Sequence, residues 1–211
     1  MVAWLAGRAS RAYDGLVQPS QRASPDLWPV GAPVSQGAYV LRIDVAAPVE
    51  VAFGRFAAGR SVHVPPGTCA YVGSAMGAGA APVLRRIARH ARRAGGCAPH
   101  PLWAPVEAWL RTAECARPTR APRKALRWHV DYLLESPEVA LTGAIVAHSP
   151  HRCEDALARW IAECGDAAAL APGLGASDRR AEAHLFTAPA DRSWWTALAA
   201  AADRLALGGR G

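Results

Sequence analysis

The 211-residue sequence has few cysteines and no long apolar run, and both shortages exclude classes of protein. Its five cysteines never form a Cys-x-x-Cys pair, which argues against a structural zinc site and against a disulfide framework. No stretch approaches the roughly 20 apolar residues of a transmembrane helix, so we expect no membrane association. The N-terminus shows no secretory signal pattern, and we expect a protein of the reducing cytoplasm.

Lysine is almost absent as well, because every basic residue except Lys124 is an arginine. The net charge is +7, and it is unevenly distributed along the chain. Between residues 85 and 127, eleven basic residues face only Glu107 and Glu114, which gives this segment a charge of +9. Clustered arginines are typical of proteins that bind polyanions, since the guanidinium fork binds phosphate bidentately. A solvated basic surface has the same composition, so charge alone leaves both interpretations open.

Apolar residues make up 51% of the chain, enough to bury a core, and the length fits one domain with tails. Residues 1–35 show no sustained hydrophobic period, and we predict a mostly disordered leader there. Beyond it, the apolar pattern and its turns predict strands at 38–45, 49–53, 61–64 and 68–73. A helical period then begins at Pro82, where a proline suits the first helical turn, and continues to about Ala94.

Residues 95–125 are rich in proline, arginine and tryptophan, and we predict a basic insertion with a short helix at 105–116. The remaining elements are predicted as a helix at 126–134, a buried strand at 142–148, a helix opening at Ser149-Pro150, a short strand at 184–186 and an alanine-rich helix at 194–207. The sequence therefore divides into a leader at 1–35, a domain at 36–187 and a C-terminal helix and tail at 188–211.

Five motifs follow one another along this pattern. They are Gly37-Ala38-Tyr39, Tyr71-Val72-Gly73-Ser74-Ala75-Met76-Gly77, Arg86-Ile87-Ala88-Arg89-His90, Trp128-His129-Val130-Asp131-Tyr132-Leu133-Leu134 and Gly173-Leu174-Gly175-Ala176-Ser177-Asp178 with His184-Leu185-Phe186. Their order resembles the GIY-YIG nuclease superfamily, and more narrowly its small stand-alone Uri-type (UvrC/intron-type) branch. The resemblance covers about residues 37–187. It implies an α+β fold with a small central, mostly antiparallel sheet flanked by helices.

The resemblance also implies metal-dependent endonuclease activity on nucleic acid, with DNA as the expected substrate. Tyr39 and Tyr71 would lie in the active site, and the equivalent of Tyr39 is implicated in activating the attacking water. A phenol has a pKa of about 10, so nearby cations would have to lower it for this role. Arg86 would bind the scissile phosphate. His90, four residues later on the same helix face, would contact phosphate or orient Tyr39.

A divalent cation, Mg²⁺ in the first place, is the implied cofactor, and Glu154 is its expected ligand. Magnesium prefers oxygen ligands and retains several waters, so one carboxylate can suffice. Asp155 and Glu163 lie on the same predicted helix. Carboxylates are favoured near helix N-termini in any case, so a structural role for Glu154 stays open.

Further residues are expected around this centre. His129 would be a second proton carrier or a polar residue of the core. Contacts with the nucleic-acid backbone are expected from Ser74, Arg85, Arg89, Arg92 and Arg93.

The sequence departs from the family pattern in three places: Ala38 replaces isoleucine, Arg179 and Ala181 stand where branch members carry cysteines, and the 95–125 insertion is long. We predict no obligate protein partner. Two other functions stay open: a nucleic-acid-binding module without catalysis, and a regulatory domain that binds an acidic protein surface.

Overall fold

A computed structural model describes residues 26–78, 81–95, 97–112, 124–175 and 183–208. The strands are β1 (Asp26–Gly31), β2 (Gly37–Val45), β3 (Val49–Ala52), β4 (Ser61–Val64), β5 (Gly67–Ala75), β6 (Val139–His148), β7 (Ala168–Ala169) and β8 (Leu185–Ala188). The α-helices are α1 (Pro82–His90), α2 (Trp103–Thr112), α3 (His129–Leu134), α4 (Glu154–Glu163) and α5 (Arg192–Ala206). A short 3₁₀ segment, Phe56–Gly59, lies between β3 and β4.

Six strands form the central sheet in the order β1-β6-β2-β5-β8-β7, and β3 and β4 form a separate hairpin. Within the central sheet only the β1–β6 pair is parallel, and all other neighbours are antiparallel. The predicted α+β class, with a mostly antiparallel sheet flanked by helices, is confirmed.

The sheet is covered on both faces, because successive residues of a strand point to opposite sides. On β2, Tyr39 and Leu41 join one apolar cluster together with residues of α1 and α3. Ala38 and Val40 join a second cluster with residues of α4 and α5. All four are at most 1% exposed, so β2 runs through the centre of the molecule.

The predicted disorder up to residue 35 is wrong for residues 26–31, which form β1 along β6. Two long-range contacts hold this strand in place. Trp28 stacks on Trp195 of α5 with ring centroids 6.4 Å apart, and the Gly31 amide donates to Asp203 Oδ1 at 2.7 Å. A local hydrophobic period does not reveal partners so distant in sequence. Residues 1–25 lie outside the described part of the chain.

The C-terminal helix also belongs to the folded domain, since α5 packs against β1 and β6. It begins at Arg192, where the Asp191 carboxylate caps it by accepting from the amides of Ser193 and Trp194. The sequence predicts α1 up to about Ala94, but the helix ends at His90. Within the described segments, no helix combines the length and the apolar character needed to cross a bilayer.

His100 is a buried histidine that joins the segment after α1 to β6. Its Nδ1 accepts from the Leu141 amide at 3.2 Å, and its Nε2 donates to the Leu134 carbonyl at 2.9 Å. Both ring nitrogens are thus hydrogen-bonded, one as donor and one as acceptor, which is the pattern of a neutral imidazole. Burial, assisted by the positive charges of Arg93 and Lys124, lowers the pKa of His100 to about 3.

We therefore expect His100 to make the fold acid-sensitive. In the unfolded chain a histidine takes up its proton near pH 6.5, whereas folded His100 does so only near pH 3. The unfolded state binds more protons between these values, so stability falls as the pH drops below 6.5, by up to about 1.4 kcal/mol per pH unit. Urea unfolding between pH 5 and 7 measures this slope.

In the His100→Leu variant we expect a shallower slope. Stability at pH 7 should fall by about 1–3 kcal/mol, because a buried amide and carbonyl lose their partner. The exposed His151 provides the control, and His151→Gln should keep both the stability and the slope. An unchanged slope in His100→Leu would show that His100 does not cause the pH dependence of stability.

Candidate active site

The pairing of β2 with β5 brings the two predicted tyrosines together. Tyr39 lies opposite Gly73, and Leu41 lies opposite Tyr71. The two phenol rings are 6.4 Å apart between centroids. The Tyr39 ring lies against Gly73, where a Cβ atom would come within 2.5 Å of the Tyr39 Cζ and hydroxyl oxygen. Gly73 thus makes the space that the Tyr39 phenol occupies.

His90 connects Tyr39 to a buried carboxylate. The apolar face of α1, with Leu84 and Ile87, packs into the core and carries His90 at the end of the helix. The His90 Nδ1 lies 3.0 Å from Asp131 Oδ1, and its Nε2 lies 2.9 Å from the Tyr39 hydroxyl. An ionised carboxylate only accepts, so Nδ1 carries the proton and Nε2 accepts from Tyr39. We refer to this Tyr39–His90–Asp131 chain as the relay.

Asp131 is a fully buried charge with a complete set of partners. Its side chain is 0% exposed. Arg89 Nη1 donates to both carboxylate oxygens at 3.0 Å, and the amides of Arg127 and Trp128 donate to Oδ2 at 2.9 and 3.0 Å. Burial alone would raise the pKa of Asp131, but the contact with His90 and the two amides outweigh it and hold the pKa well below its usual range. The relay therefore ends in an ionised carboxylate.

His90 itself is neutral in this arrangement. Burial lowers the pKa of His90, and its hydrogen bond to Asp131 offsets only part of that effect. Of the two roles expected for His90, the structure shows the contact with Tyr39. Both ring nitrogens are engaged, so neither remains for a phosphate.

Arg86 differs from its neighbours because it has no hydrogen bond or ion pair with any other described residue. It is half-buried on α1, and its Cζ lies 4.4 Å from the centre of the Trp128 ring. Its positive charge acts to lower the pKa of both Tyr39 and Tyr71, against other influences. The Trp128 ring that it contacts also meets His90 of the relay, with ring centroids 5.5 Å apart. Arg86 is thus a half-exposed cation with free N–H groups next to the relay.

That Arg86 and a bound cation together lower the pKa of the phenols stays a prediction, and the protein's own side chains by themselves have the opposite net effect. Burial is the largest influence on both, and it raises the pKa of Tyr39 and of Tyr71 well above the usual value. Arg86 acts in the expected direction, but its effect is smaller. Both hydroxyls are therefore protonated at neutral pH, and Tyr39 is only 1% exposed.

Glu154 reaches this region from the opposite layer, since α4 covers the other face of the sheet. Ser74, at the end of β5, donates its hydroxyl to Glu154 Oε2, and His184 Nδ1 lies 3.3 Å from Oε1. Burial would raise the pKa of Glu154, but His184 and Ser74 lower it. The carboxylate also raises the pKa of Tyr39 and of Tyr71, so its charge acts on the same two phenols as Arg86.

The surroundings of Glu154 offer few ligands for a cation. In the described segments, no group of three or more His, Cys, Asp or Glu side chains is arranged to hold a metal ion. A hydrated Mg²⁺ needs less, since one or two carboxylates and water oxygens suffice. Glu154 is ionised and its side chain is 23% exposed, so it fits that kind of ligand.

Most of the residues predicted to bind nucleic acid have internal partners instead. Arg89 is bound to Asp131, and Arg93 donates to the carbonyls of Ser136 and Val139 at 2.9 and 2.6 Å. The two arginines answer one need, because the buried Asp131 carboxylate and the carbonyls of Ser136 and Val139 require donors. Ser74 is likewise engaged with Glu154.

For two other arginines, binding to nucleic acid stays a prediction. Arg92 stacks on Trp103, with its Cζ 4.4 Å from the ring centre. Arg85 is half-buried on α1, and its role as a phosphate contact stays a prediction.

His129 does not join the relay. Its Nδ1 accepts from the Gly175 amide at 3.0 Å, and its ring packs against the edge of Phe56. Of the two roles expected for His129, these contacts fit that of an anchored polar residue, which fixes the backbone at Gly175.

The sequence interpretation missed the roles of Asp131, Trp128 and His184. All three lie in the motifs on which the resemblance is based. Their place in those motifs is the one feature of the sequence that could have indicated a role in the site.

The fold and the site together define a small α+β domain in which a buried Tyr–His–Asp chain lies beside a half-exposed arginine and an ionised glutamate. Residues 38–207 match the family described as "Domain of unknown function DUF123", and this match includes α5. The match covers most of the chain, which therefore belongs to the DUF123 family. No curated protein and no solved structure matches the chain.

Adding a methyl group at Gly73 tests the packing of the Tyr39 phenol. In Gly73→Ala the new Cβ would overlap the Tyr39 ring, so the phenol must move away from His90. We expect a loss of about 1–3 kcal/mol in the free energy of unfolding, as is typical of overpacked cores. Urea denaturation measures the loss.

Gly77 is the matched control, because a Cβ there would meet nothing within 4 Å. Gly77→Ala should unfold like the wild type. Equal stability of the two variants would show that Tyr39 does not need the space at Gly73.

Proposed function

We propose that this protein is a metal-dependent endonuclease that hydrolyses phosphodiester bonds in nucleic acid, with DNA as the expected substrate. The observation that carries the proposal is Arg86: a half-exposed guanidinium without a polar partner among the described residues, lying on the Trp128 ring that also packs against His90 of the relay. Phosphodiester hydrolysis needs stabilisation of negative charge at phosphorus and removal of a proton from water. Arg86 and the relay supply groups for both.

Arg86 would bind the scissile phosphate through its N–H groups. A guanidinium presents two parallel donors that match two phosphate oxygens, and it offsets the charge that develops in the transition state. The +9 charge of residues 85–127 supports this assignment, because it raises the local concentration of a polyanion.

The relay would accept the proton of the attacking water without forming a phenolate. As the water oxygen bonds to phosphorus, its proton passes to the Tyr39 oxygen, and the Tyr39 proton passes to His90 Nε2. The resulting imidazolium is stabilised by ionised Asp131 at 3.0 Å. The bond from phosphorus to the leaving oxygen breaks, and that oxygen takes a proton from solvent. Because the proton moves through Tyr39, its raised pKa is compatible with this role.

Glu154 would hold the divalent cation, with Ser74 and His184 fixing the orientation of its carboxylate. When bound, such a cation supplies a Lewis acid that polarises a phosphate oxygen. Tyr39 and Tyr71 are covered, at 1% and 3% exposure. The proposal therefore requires the attacking water to enter beside the half-exposed side chains of Arg86 and Glu154.

Removing the Arg86 guanidinium should abolish cleavage. We expect Arg86→Ala to lower the rate of plasmid nicking with Mg²⁺ by roughly a hundredfold or more, since a transition-state charge contact is lost. Arg111→Ala is the matched control. Arg111 lies in the same basic segment, its side chain is 69% exposed, and its ion pair with Glu107 is on the surface.

If Arg111→Ala and the wild type nick equally and Arg86→Ala does not, the effect belongs to the site and not to the net charge. Nicking by Arg86→Ala at the wild-type rate would contradict the proposal. If no variant and no metal gives a product, while binding weakens steeply with salt, the protein is a nucleic-acid-binding module instead.

Glu154→Gln tests the cation. The amide keeps the shape of the side chain but loses the negative charge, so we expect the stimulation of nicking by Mg²⁺ to disappear while nucleic-acid binding persists. The control is Glu163→Gln at the exposed end of the same helix, which should titrate with Mg²⁺ like the wild type. An unaltered Mg²⁺ titration of Glu154→Gln would remove this residue from the mechanism.

A further inference from the structure

Trp128 contacts Arg86 and also packs against the relay. Its ring centre lies 4.4 Å from Arg86 Cζ, 4.2 Å from Arg89 Cζ and 5.2 Å from Arg127 Cζ. The ring also meets His90 edge-on, with centroids 5.5 Å apart and planes at 69°. Nothing in the proposed chemistry uses this tryptophan.

The position of the Trp128 ring is itself fixed by the relay. The Trp128 amide donates to Asp131 Oδ2 at 3.0 Å, at the start of α3. The same carboxylate oxygen accepts the Arg127 amide, and Arg89 Nη2 donates to the Ala125 carbonyl. Polar contacts thus connect the segment before α3 to α1, and the Trp128 indole is held against α1.

Contact with an aromatic face leaves the guanidinium free for a second task. A cation above an indole is attracted by the negative ring face, and tryptophan is the strongest aromatic partner for it. An arginine that stacks through its plane keeps its N–H groups at the edge, where a phosphate binds bidentately. An arginine without such support must lose rotamer freedom when the phosphate arrives.

We propose that Trp128 is a positioning residue that holds the Arg86 guanidinium in its phosphate-binding orientation before the substrate binds. The proposal rests on the proposed function only for the effect of Trp128 on the rate of cleavage. The restraint on the side chain of Arg86 is a property of the free protein.

The experiment compares three replacements of Trp128 with one control. Trp128→Leu and Trp128→Met remove the aromatic face, and Trp128→Phe retains a weaker one. Trp103→Leu is the control, because Trp103 is also half-buried and its ring centre also lies 4.4 Å from an arginine Cζ, but that arginine is Arg92 and not Arg86. Circular dichroism melts select the variants that fold.

The first readout needs no substrate. The ¹⁵N–¹H heteronuclear NOE of the Arg86 Nε–Hε group, assigned by its absence in Arg86→Lys, reports the order of this side chain. We expect a restrained group in the wild type, Trp128→Phe and Trp103→Leu, and a mobile one in Trp128→Leu and Trp128→Met. A group equally restrained in all variants would overturn the proposal.

The second readout is nicking with Mg²⁺. We expect Trp128→Leu to lower kcat by roughly tenfold or more with little change in KM, because a misplaced transition-state contact costs rate and not ground-state binding. Trp128→Phe should recover part of the rate, and Trp103→Leu should keep the kcat of the wild type. A rise in KM with unchanged Arg86 order would assign Trp128 to binding the substrate directly and overturn the proposal. If the wild type does not nick, the proposed function fails, and the NOE alone decides the role of Trp128.

Discussion

The candidate site depends on the burial of one negative charge, the Asp131 carboxylate. A charge removed from water is costly unless hydrogen bonds and opposite charges compensate it, and here Arg89, His90 and two backbone amides do so. These donors come from α1 and from the residues that open α3, so satisfying the charge fixes the two helices against each other. That arrangement turns His90 toward Tyr39 and brings Trp128 against Arg86. The geometry of the site thus follows from the need to compensate the buried charge of Asp131 in the folded protein.

Much of the fold follows from local patterns in the sequence. The alternation of apolar and polar residues and the turns between them predict β2 and β5. The proline at the start of a helical period predicts that α1 begins at Pro82. The strand β1 escapes prediction because its partner, β6, lies more than a hundred residues away, and parallel pairing leaves no hairpin signal. For the same reason, the spacing of Arg86 and His90 predicts a shared helix face but not the carboxylate that receives His90. The direction of the Tyr39 pKa shift also depends on burial, which a motif does not contain.

The arginines of α1 and of the segment that follows it show how little residue type alone says about binding. Arg86, Arg89 and Arg93 lie within eight positions of one another and carry the same charge. Arg89 compensates a buried carboxylate, and Arg93 satisfies two carbonyls at the end of α3 and the start of β6. Only the packing around each guanidinium separates a structural donor from one that is open to a ligand. The sequence therefore predicts a basic region, and the structure divides it into internal and external cations.

The parallel strand β1 determines which strand forms one edge of the central sheet. It covers the outer edge of β6, a ten-residue strand whose residues are mostly buried and uncharged. An uncovered strand of this kind presents unpaired amides and carbonyls to other chains and is a template for intermolecular sheets. The family match begins at residue 38, beyond β1. A protein trimmed to that boundary would retain every residue of the candidate site, but the long and mostly uncharged β6 would replace the short β1 as the edge of its sheet.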